Sequence, residues 1–286
     1  MDEISLEEID EMLETAQMFY DGKEDYKRLT GKIACNLFFE PSTRTQYSFQ
    51  IAEEKLEMKV ISFNKKSSSI KKNESFFDTV KTFDSFGIDL LIIRSLQNEY
   101  YKELAGKIKT KVINAGDGTS NHPTQSLLDI LTIKQEFGFI KGLKILMVGD
   151  ILHSRVAHSN LKIMKRLGAK VFISGPNEYL EKDAIFIPLE DGLLSCDVVI
   201  MLRVQFERHD KKFNMSFQEY NEKFGINSKN IGFMKKNSII MHPGPVNRNV
   251  EISDNLVECE KSRILKQVKN GVFVRMAVIE YLLRNK

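Results

Sequence analysis

Ile33-Ala34-Cys35-Asn36-Leu37-Phe38-Phe39-Glu40-Pro41-Ser42-Thr43-Arg44-Thr45 is the stretch on which the reading of this chain turns. Residues 33–38 are largely apolar and bounded downstream by a proline, the pattern of a buried strand. Beyond the proline, Tyr47, Phe49, Ile51, Ala52 and Leu56 recur at roughly helical spacing. A strand therefore turns into a helix here, and Ser42 or Thr43 is placed to cap it. Short hydroxyls, a guanidinium and free amide N–H groups at the positive end of a helix dipole together fit a phosphate. The plain alternative is a helix cap beside one exposed arginine. It accounts for Ser-Thr alone, but poorly for Ser-Thr-Arg-Thr after an apolar strand.

Working outward, strand-like and helix-like segments alternate along almost the whole chain. That order predicts an α/β fold with two domains, each a parallel sheet in a three-layer αβα unit. The first half has strands near 33–38, 59–63, 88–94 and 111–115, with helices near 5–20, 43–57, 75–86 and 99–106. A helix opens at Pro123, where the missing N–H does no harm, and runs to Phe137. A second series has strands near 144–149, 170–174, 197–201 and 237–241. From about Ser262 to Arg284 the spacing predicts a long helix crossing back to the first domain. Its expected apolar side is Ile264, Leu265, Val268, Val272, Met276, Ile279 and Leu283. The expected domains are 1–134 joined by the helix 262–286, and 135–261, with a helix and no loose linker at the boundary.

At 286 residues the chain can bury two cores, and 42% hydrophobic with 28% charged residues is the composition of a globular protein. The formal charge of +3 arises from 42 basic and 39 acidic residues spread along the sequence. So balanced a chain does not attract nucleic acid or membrane by its field alone. Cys35, Cys196 and Cys259 are odd in number and widely spaced, which predicts buried free thiols in a reducing cytoplasm. The N-terminus has neither the basic nor the apolar region of a signal peptide, and no apolar run reaches membrane-spanning length.

Further groups with chemistry lie where strands end, the edge at which open α/β sheets bind ligands. His122 and Gln125 open the helix after the glycine-rich turn Ala115–Thr119. A histidine there is equally a cap or a packed core residue, but it lies beside a second helix start suited to phosphate. Arg94 ends the apolar strand 89–93. In the second half Gly149-Asp150 ends a strand and Arg155 follows in the first helical turn, while Arg203 and Gln205 follow the strand 198–202. Two arginines at two ends of one sheet suit a dicarboxylate, one guanidinium fork for each carboxylate. Either is equally a surface ion-pair partner. His242-Pro243-Gly244-Pro245 closes the last strand with a rigid turn that leaves carbonyls as acceptors. A Rossmann fingerprint, a Walker loop, a Ser-His-acid order and zinc-ligand spacing are all missing, so neither cofactor nor metal is expected.

These motifs, in this order, closely resemble the aspartate/ornithine carbamoyltransferases, and within them the aspartate-using catalytic chains. The matching segments are F-F-E-P-S-T-R-T (38–45), S-S-S-I-K-K-N-E-S (67–75), I-I-R (92–94), G-D-G-T-S-N-H-P-T-Q-S-L-L-D (116–129), G-D-I-L-H-S-R-V-A-H-S (149–159), M-L-R-V-Q-F-E-R (201–208) and H-P-G-P-V-N-R (242–248). The ornithine-using relatives carry a cysteine where this chain has Pro243. The resemblance implies one domain for carbamoyl phosphate and one for L-aspartate, giving N-carbamoyl-aspartate early in pyrimidine synthesis, in a cytoplasmic homotrimer with shared sites.

By the same resemblance Ser42, Thr43, Arg44 and Thr45 hold the phosphate. Thr45, Arg94 and His122 are the catalytic groups around the carbamoyl oxygen, Gln125 lies near its amide, and Pro243 and Gly244 offer backbone carbonyls. Lys72, Arg155, Arg203 and Gln205 match aspartate-binding positions, and Ser68 and Lys72 a loop that enters the neighbouring subunit's site. A regulatory chain or another pyrimidine-pathway enzyme is a possible partner. Three departures stand out: Asn73 in place of a frequent glycine, Ser95-Leu96-Gln97 in place of His-Pro, and Val156 in place of a frequent threonine. Two other readings stay open at this point, transfer to another amino acceptor and a ligand-binding protein without catalysis.

Overall fold

The computed structural model describes residues 4–23, 28–64, 68, 72–204 and 215–284. They group into two compact units, Glu3–Leu131 with Val268–Lys286, and Thr132–Gln267. The first contains α1 (Leu6–Tyr20), β1 (Ile33–Phe38), α2 (Thr43–Lys55), β2 (Lys59–Ser62), α3 (Phe76–Ser85), β3 (Leu90–Ser95), the single turn α4 (Tyr101–Leu104) and β4 (Lys111–Asp117). Helix α5 (Pro123–Phe137) runs from this unit into the other. There follow β5 (Lys144–Val148), α6 (Arg155–Arg166), β6 (Lys170–Ser174), β7 (Ile185–Phe186), α7 (Leu189–Ser195), β8 (Val198–Met201), α8 (Phe217–Phe224) and β9 (Ile239–Met241). Helix α9 (Ile264–Arg284) closes the series and spans both units.

Both sheets are parallel throughout, as the alternating order predicts. The first runs β2-β1-β3-β4 and the second β7-β6-β5-β8-β9. In each, the chain leaves a central strand to one side and later returns on the other. The reversal falls between β1 and β3 in the first sheet and between β5 and β8 in the second. The crevice at the carboxyl ends of such a pair is where this architecture binds ligands.

The strands are apolar because both faces are covered. Leu90, Leu91, Ile92 and Ile93 are fully buried in β3, as are Val198, Val199, Ile200 and Met201 in β8. Around β3 the core gathers Cys35, Leu37, Val80, Ile88 and Tyr100; around β8 it gathers Leu146, Val148, Leu193, Cys196 and Ile240. Helix α1 begins with a capping box, Ser5 and Glu8. Glu8 then accepts from the Tyr281 hydroxyl at 2.6 Å, and Glu11 pairs with Arg284, so α9 is fastened along α1.

Several expectations are corrected. Strand β7 and helices α7 and α8 were not anticipated, being two, seven and eight residues long. On α9, Leu265 and Val268 are exposed, whereas the buried face carries the polar Gln267, Asn270 and Arg275. A polar buried face defeats a reading by apolar spacing. Cys35 and Cys196 are buried free thiols, but Cys259 is only half-buried. Burial pushes Cys35 up to about 12, with the Glu53 carboxyl adding to the effect.

Candidate active site

The turn after β1 places Ser42 at the N-cap of α2, in extended backbone, with Gln46 N–H donating to its carbonyl at 3.2 Å. The Ser42 hydroxyl accepts nothing from the first helical turn. That differs from the expected side-chain cap. The first-turn amides are therefore left to something other than this side chain. Thr43 and Arg44 are exposed and Ser42 half-buried, while Thr45, one step further, is 6% exposed. Two groups of the Ser-Thr-Arg-Thr run are thus exposed, one is partly covered and the fourth is buried.

Thr45 meets Arg94 inside. The Arg94 guanidinium, at the end of β3, donates from Nε to Glu40 Oε1 at 2.6 Å. Its Nη1 lies 3.4 Å from Thr45 Oγ1 and 3.3 Å from the Ala115 carbonyl. Both side chains of the ion pair are nearly buried, at 11% and 9% exposed. Charge-assisted bonds in so dry a setting hold the guanidinium in one orientation. Three strand ends, of β1, β3 and β4, thus converge on one cation.

Behind this cluster, Arg275 of α9 stacks on the Phe49 ring at 4.9 Å and donates to its own helix at Gly271. Burial pulls its guanidinium down to about 9, with the Arg94 charge acting in the same sense. Further along α2, Glu53 is fully buried and accepts from Asn36 Nδ2 at 2.7 Å, and burial pushes its carboxyl up to about 8.

His122 stands just before α5 and is 4% exposed. Its carbonyl accepts from the Gln125 and Ser126 amides at 3.0 and 3.2 Å, fixing the helix start. The loop before it is stiffened by its own polar groups. Asp117 accepts from the Glu99 amide at 2.7 Å and from Asn114 Nδ2 at 2.6 Å. Gly118 has φ +42°, and a Cβ there would fall 1.8 Å from Asn98 Oδ1, so only glycine fits. Gln125 is buried and donates to Asp129 at 2.9 Å.

In the second unit, Arg155 is the first residue of α6 and 8% exposed, and Arg203 follows β8 half-buried. Ser154 caps α6 by accepting from the Ala157 amide at 3.2 Å. The β5 end is crowded: Gly149 has φ +125°, and a Cβ would meet the Leu202 carbonyl at 3.0 Å. Pro243 and Gly244 are half-exposed in this same unit.

The structure thus brings Thr45 and Arg94 into contact, sets Ser42, Thr43 and Arg44 on the same helix start, and puts His122 and Gln125 at the next. Ser68 is half-buried and Lys72 exposed, and Gln205 lies outside the described residues. Asn73 adopts φ 66°, the backbone a glycine takes without strain. Sequence reasoning gave no role to Glu40 or Asp129, although Glu40 lies inside the quoted F-F-E-P motif. A buried charge after an apolar strand was the available signal, since such a carboxylate needs a partner. Among the described residues no cluster of His, Cys, Asp and Glu could hold a metal.

Residues 1–135 match the family described as "Aspartate/ornithine carbamoyltransferase, carbamoyl-P binding domain", and residues 141–282 match "Aspartate/ornithine carbamoyltransferase, Asp/Orn binding domain". Among solved structures, aspartate transcarbamoylase from Trypanosoma cruzi in complex with N-(phosphonacetyl)-L-aspartic acid is 31% identical, with a TM-score of 0.89 over 98% of this chain and 93% of that one. The same enzyme in complex with carbamoyl phosphate and aspartate is 30% identical, with a TM-score of 0.88 over 98% and 94%. Its ligand-free form is 27% identical, with a TM-score of 0.83 over 98% and 94%.

Proposed function

The chain belongs to the aspartate/ornithine carbamoyltransferase family, and we propose that it transfers the carbamoyl group of carbamoyl phosphate to the amine of L-aspartate. The products are N-carbamoyl-L-aspartate and phosphate, and the pathway is pyrimidine synthesis. The observation that carries the assignment of roles is the Thr45–Arg94 contact beside the open start of α2. Phosphate takes the amides and side chains of Ser42, Thr43, Arg44 and Thr45. Thr45, Arg94 and His122 donate to the carbamoyl oxygen, Gln125 serves its amide, and the Pro243 and Gly244 carbonyls accept from it. Arg155, Arg203, Gln205 and Lys72 take the two carboxylates of aspartate.

Chemistry then needs no protein nucleophile. The aspartate amine attacks the carbamoyl carbon, negative charge grows on the carbamoyl oxygen, and the phosphate departs with the amine proton. Each donor aimed at that oxygen lowers the barrier by about 3 kcal/mol. Alignment of two bound reactants supplies much of the rest. A guanidinium already held by Glu40 need not reorganise as the charge develops.

Domain assignment follows the same reading: 1–134 with 262–286 binds carbamoyl phosphate, and 135–261 binds aspartate. We place the protein in the cytoplasm as a homotrimer, each site completed by Ser68 and Lys72 of a neighbouring copy. Free thiols support the compartment. The exposure of Lys72 supports the loop's role.

Purified protein given carbamoyl phosphate should form carbamoyl-aspartate from aspartate and no citrulline from ornithine. Activity with ornithine alone, or with neither, removes the assignment. For the shared site, mixing Arg44→Ala chains with Lys72→Ala chains should restore activity neither has alone. Failure after proven subunit exchange rejects that arrangement.

A further inference from the structure

We propose that Glu251 is a positioning residue for the aspartate half of the site, fixing the chain beside Arg203 and the turn that carries Pro243 and Gly244. This rests on the function proposed above and deepens it.

Glu251 is fully buried, and both its oxygens are engaged. Oε1 accepts from the Val204 amide at 2.9 Å and from Asn247 Nδ2 at 2.8 Å. Oε2 accepts from the Asn247 amide at 2.7 Å. His242 Nε2 stands 3.6 Å from Oε2, a distance of electrostatic contact beyond hydrogen-bond range. The histidine's orientation is set from its other side. Its Nδ1 accepts from the Gly244 amide at 2.8 Å, which places the ring proton on Nε2, toward Glu251. The His242 amide in turn donates to Gln267 Oε1 at 2.9 Å.

One carboxylate thus ties together two stretches far apart in sequence. Val204 is bonded to Arg203 by the chain itself, so holding its amide fixes the root of that guanidinium. Asn247 and His242 bracket the Pro243–Val246 turn. Asn247 also reaches back to the Val204 carbonyl at 3.3 Å, closing the loop of contacts. A buried carboxylate is costly, and an apolar residue of that size would fill the space without the cost. It would leave the Val204 and Asn247 amides without acceptors.

Sequence gave no sign of this, because Glu251 lies outside every motif and two of its three donors are backbone amides. Role and arrangement are testable with kinetics. Glu251→Gln keeps the shape but turns an acceptor into a donor facing the Asn247 amide. Asn247→Ala leaves the carboxylate with both backbone amides and removes the two side-chain bonds, to Glu251 and to the Val204 carbonyl. With wild-type enzyme active, Glu251→Gln should raise the aspartate KM by roughly tenfold to a hundredfold, the scale of a misplaced binding group. Asn247→Ala should raise it less, and inhibition by phosphate should be little changed in both. A lowered melting temperature with kcat reduced and the aspartate KM unchanged means a merely structural role and overturns the proposal. If Glu251→Gln does not fold, an unchanged aspartate KM in Asn247→Ala overturns it equally. A wild-type chain that forms no carbamoyl-aspartate overturns the proposed function itself, which separates that failure from a failure of the Glu251 assignment.

Discussion

The two units share one frame and finish it differently. Strands β2-β1-β3-β4 and β6-β5-β8-β9 have the same order and direction, with β7 added at one edge. In each, a serine stands at the helix start after the first central strand, an arginine stands at or just after the end of the second, and a histidine follows the last. Ser42 and Ser154, Arg94 and Arg203, and His122 and His242 therefore hold corresponding places. What differs is where polar capacity is spent. Ser154 satisfies its own helix, whereas Ser42 leaves α2 open. Glu40 grips the Arg94 side chain, whereas Glu251 grips only the backbone next to Arg203. One frame thus carries two finishes: an arginine gripped through its side chain beside a helix start that its serine does not cap, and an arginine whose neighbouring backbone is gripped beside a helix start that its serine does cap.

The sharpest way to break this comparison is at the arginines. Arg94→Ala should cut kcat by roughly 10²–10³ and lower stability by about 3–5 kcal/mol, because it takes the guanidinium away from the nearly buried Glu40 carboxylate. Steady-state rates and urea unfolding measure both. If stability holds while the rate falls, Glu40 is not the restraint described. Arg203→Ala should raise the aspartate KM on the order of tenfold to a hundredfold, the worth of a charge-assisted bond, with little change in stability. A matching loss of stability would make the two arginines equivalent after all.

Buried glutamates give a second contrast. Glu251 has donors on both oxygens, whereas Glu53 accepts from Asn36 Nδ2 on one, and among the described residues its Oε1 and Asn36 Oδ1 are buried without hydrogen-bond partners. A proton on Glu53 removes the cost of a buried charge. From an ordinary value of 4.5 burial raises Glu53 to about 8, so between these the folded chain keeps a proton the unfolded chain has released. The stabilisation is complete below the lower value and lost as pH rises through the upper, by roughly 1.4 kcal/mol per pH unit inside the window. Glu53→Gln should flatten that slope in urea unfolding at pH 5.5 and 8, and parallel profiles would refute it.

The smallest effect separates the two serines. Ser154→Ala should cost about 1 kcal/mol of stability, the worth of a lost cap. Ser42→Ala should leave stability nearly unchanged and weaken phosphate binding in titration calorimetry. Equal stability losses would erase the distinction between an open and a closed helix start.

Much of this was readable in the residues, and the exceptions have physical causes. Apolar runs such as 90–93 and 198–201 declare their strands because both faces are covered, and the Ser-Thr-Arg-Thr turn declares its chemistry because four polar groups crowd one helix start. Strand β7 is too short to carry a period. On α9, Ile264, Met276 and Ile279 are buried as expected, but Asn270 and Arg275 also lie inward while Leu265 and Val268 face out. Glu40 and Glu251 escaped for a common reason: each acts on a partner distant in sequence, and distance in sequence is what a one-dimensional pattern cannot weigh.

The attachment of α9 bears on how the protein is made. Tyr20, Glu8, Glu11 and Phe49 all take their partners from residues 269–284. On the ribosome those partners emerge only after the whole of the other unit, so the half translated first must wait, incompletely packed, for the half translated last to pass. A nascent chain stalled before Lys269 presents the bare inner sides of α1 and α2, the surface a chaperone would hold.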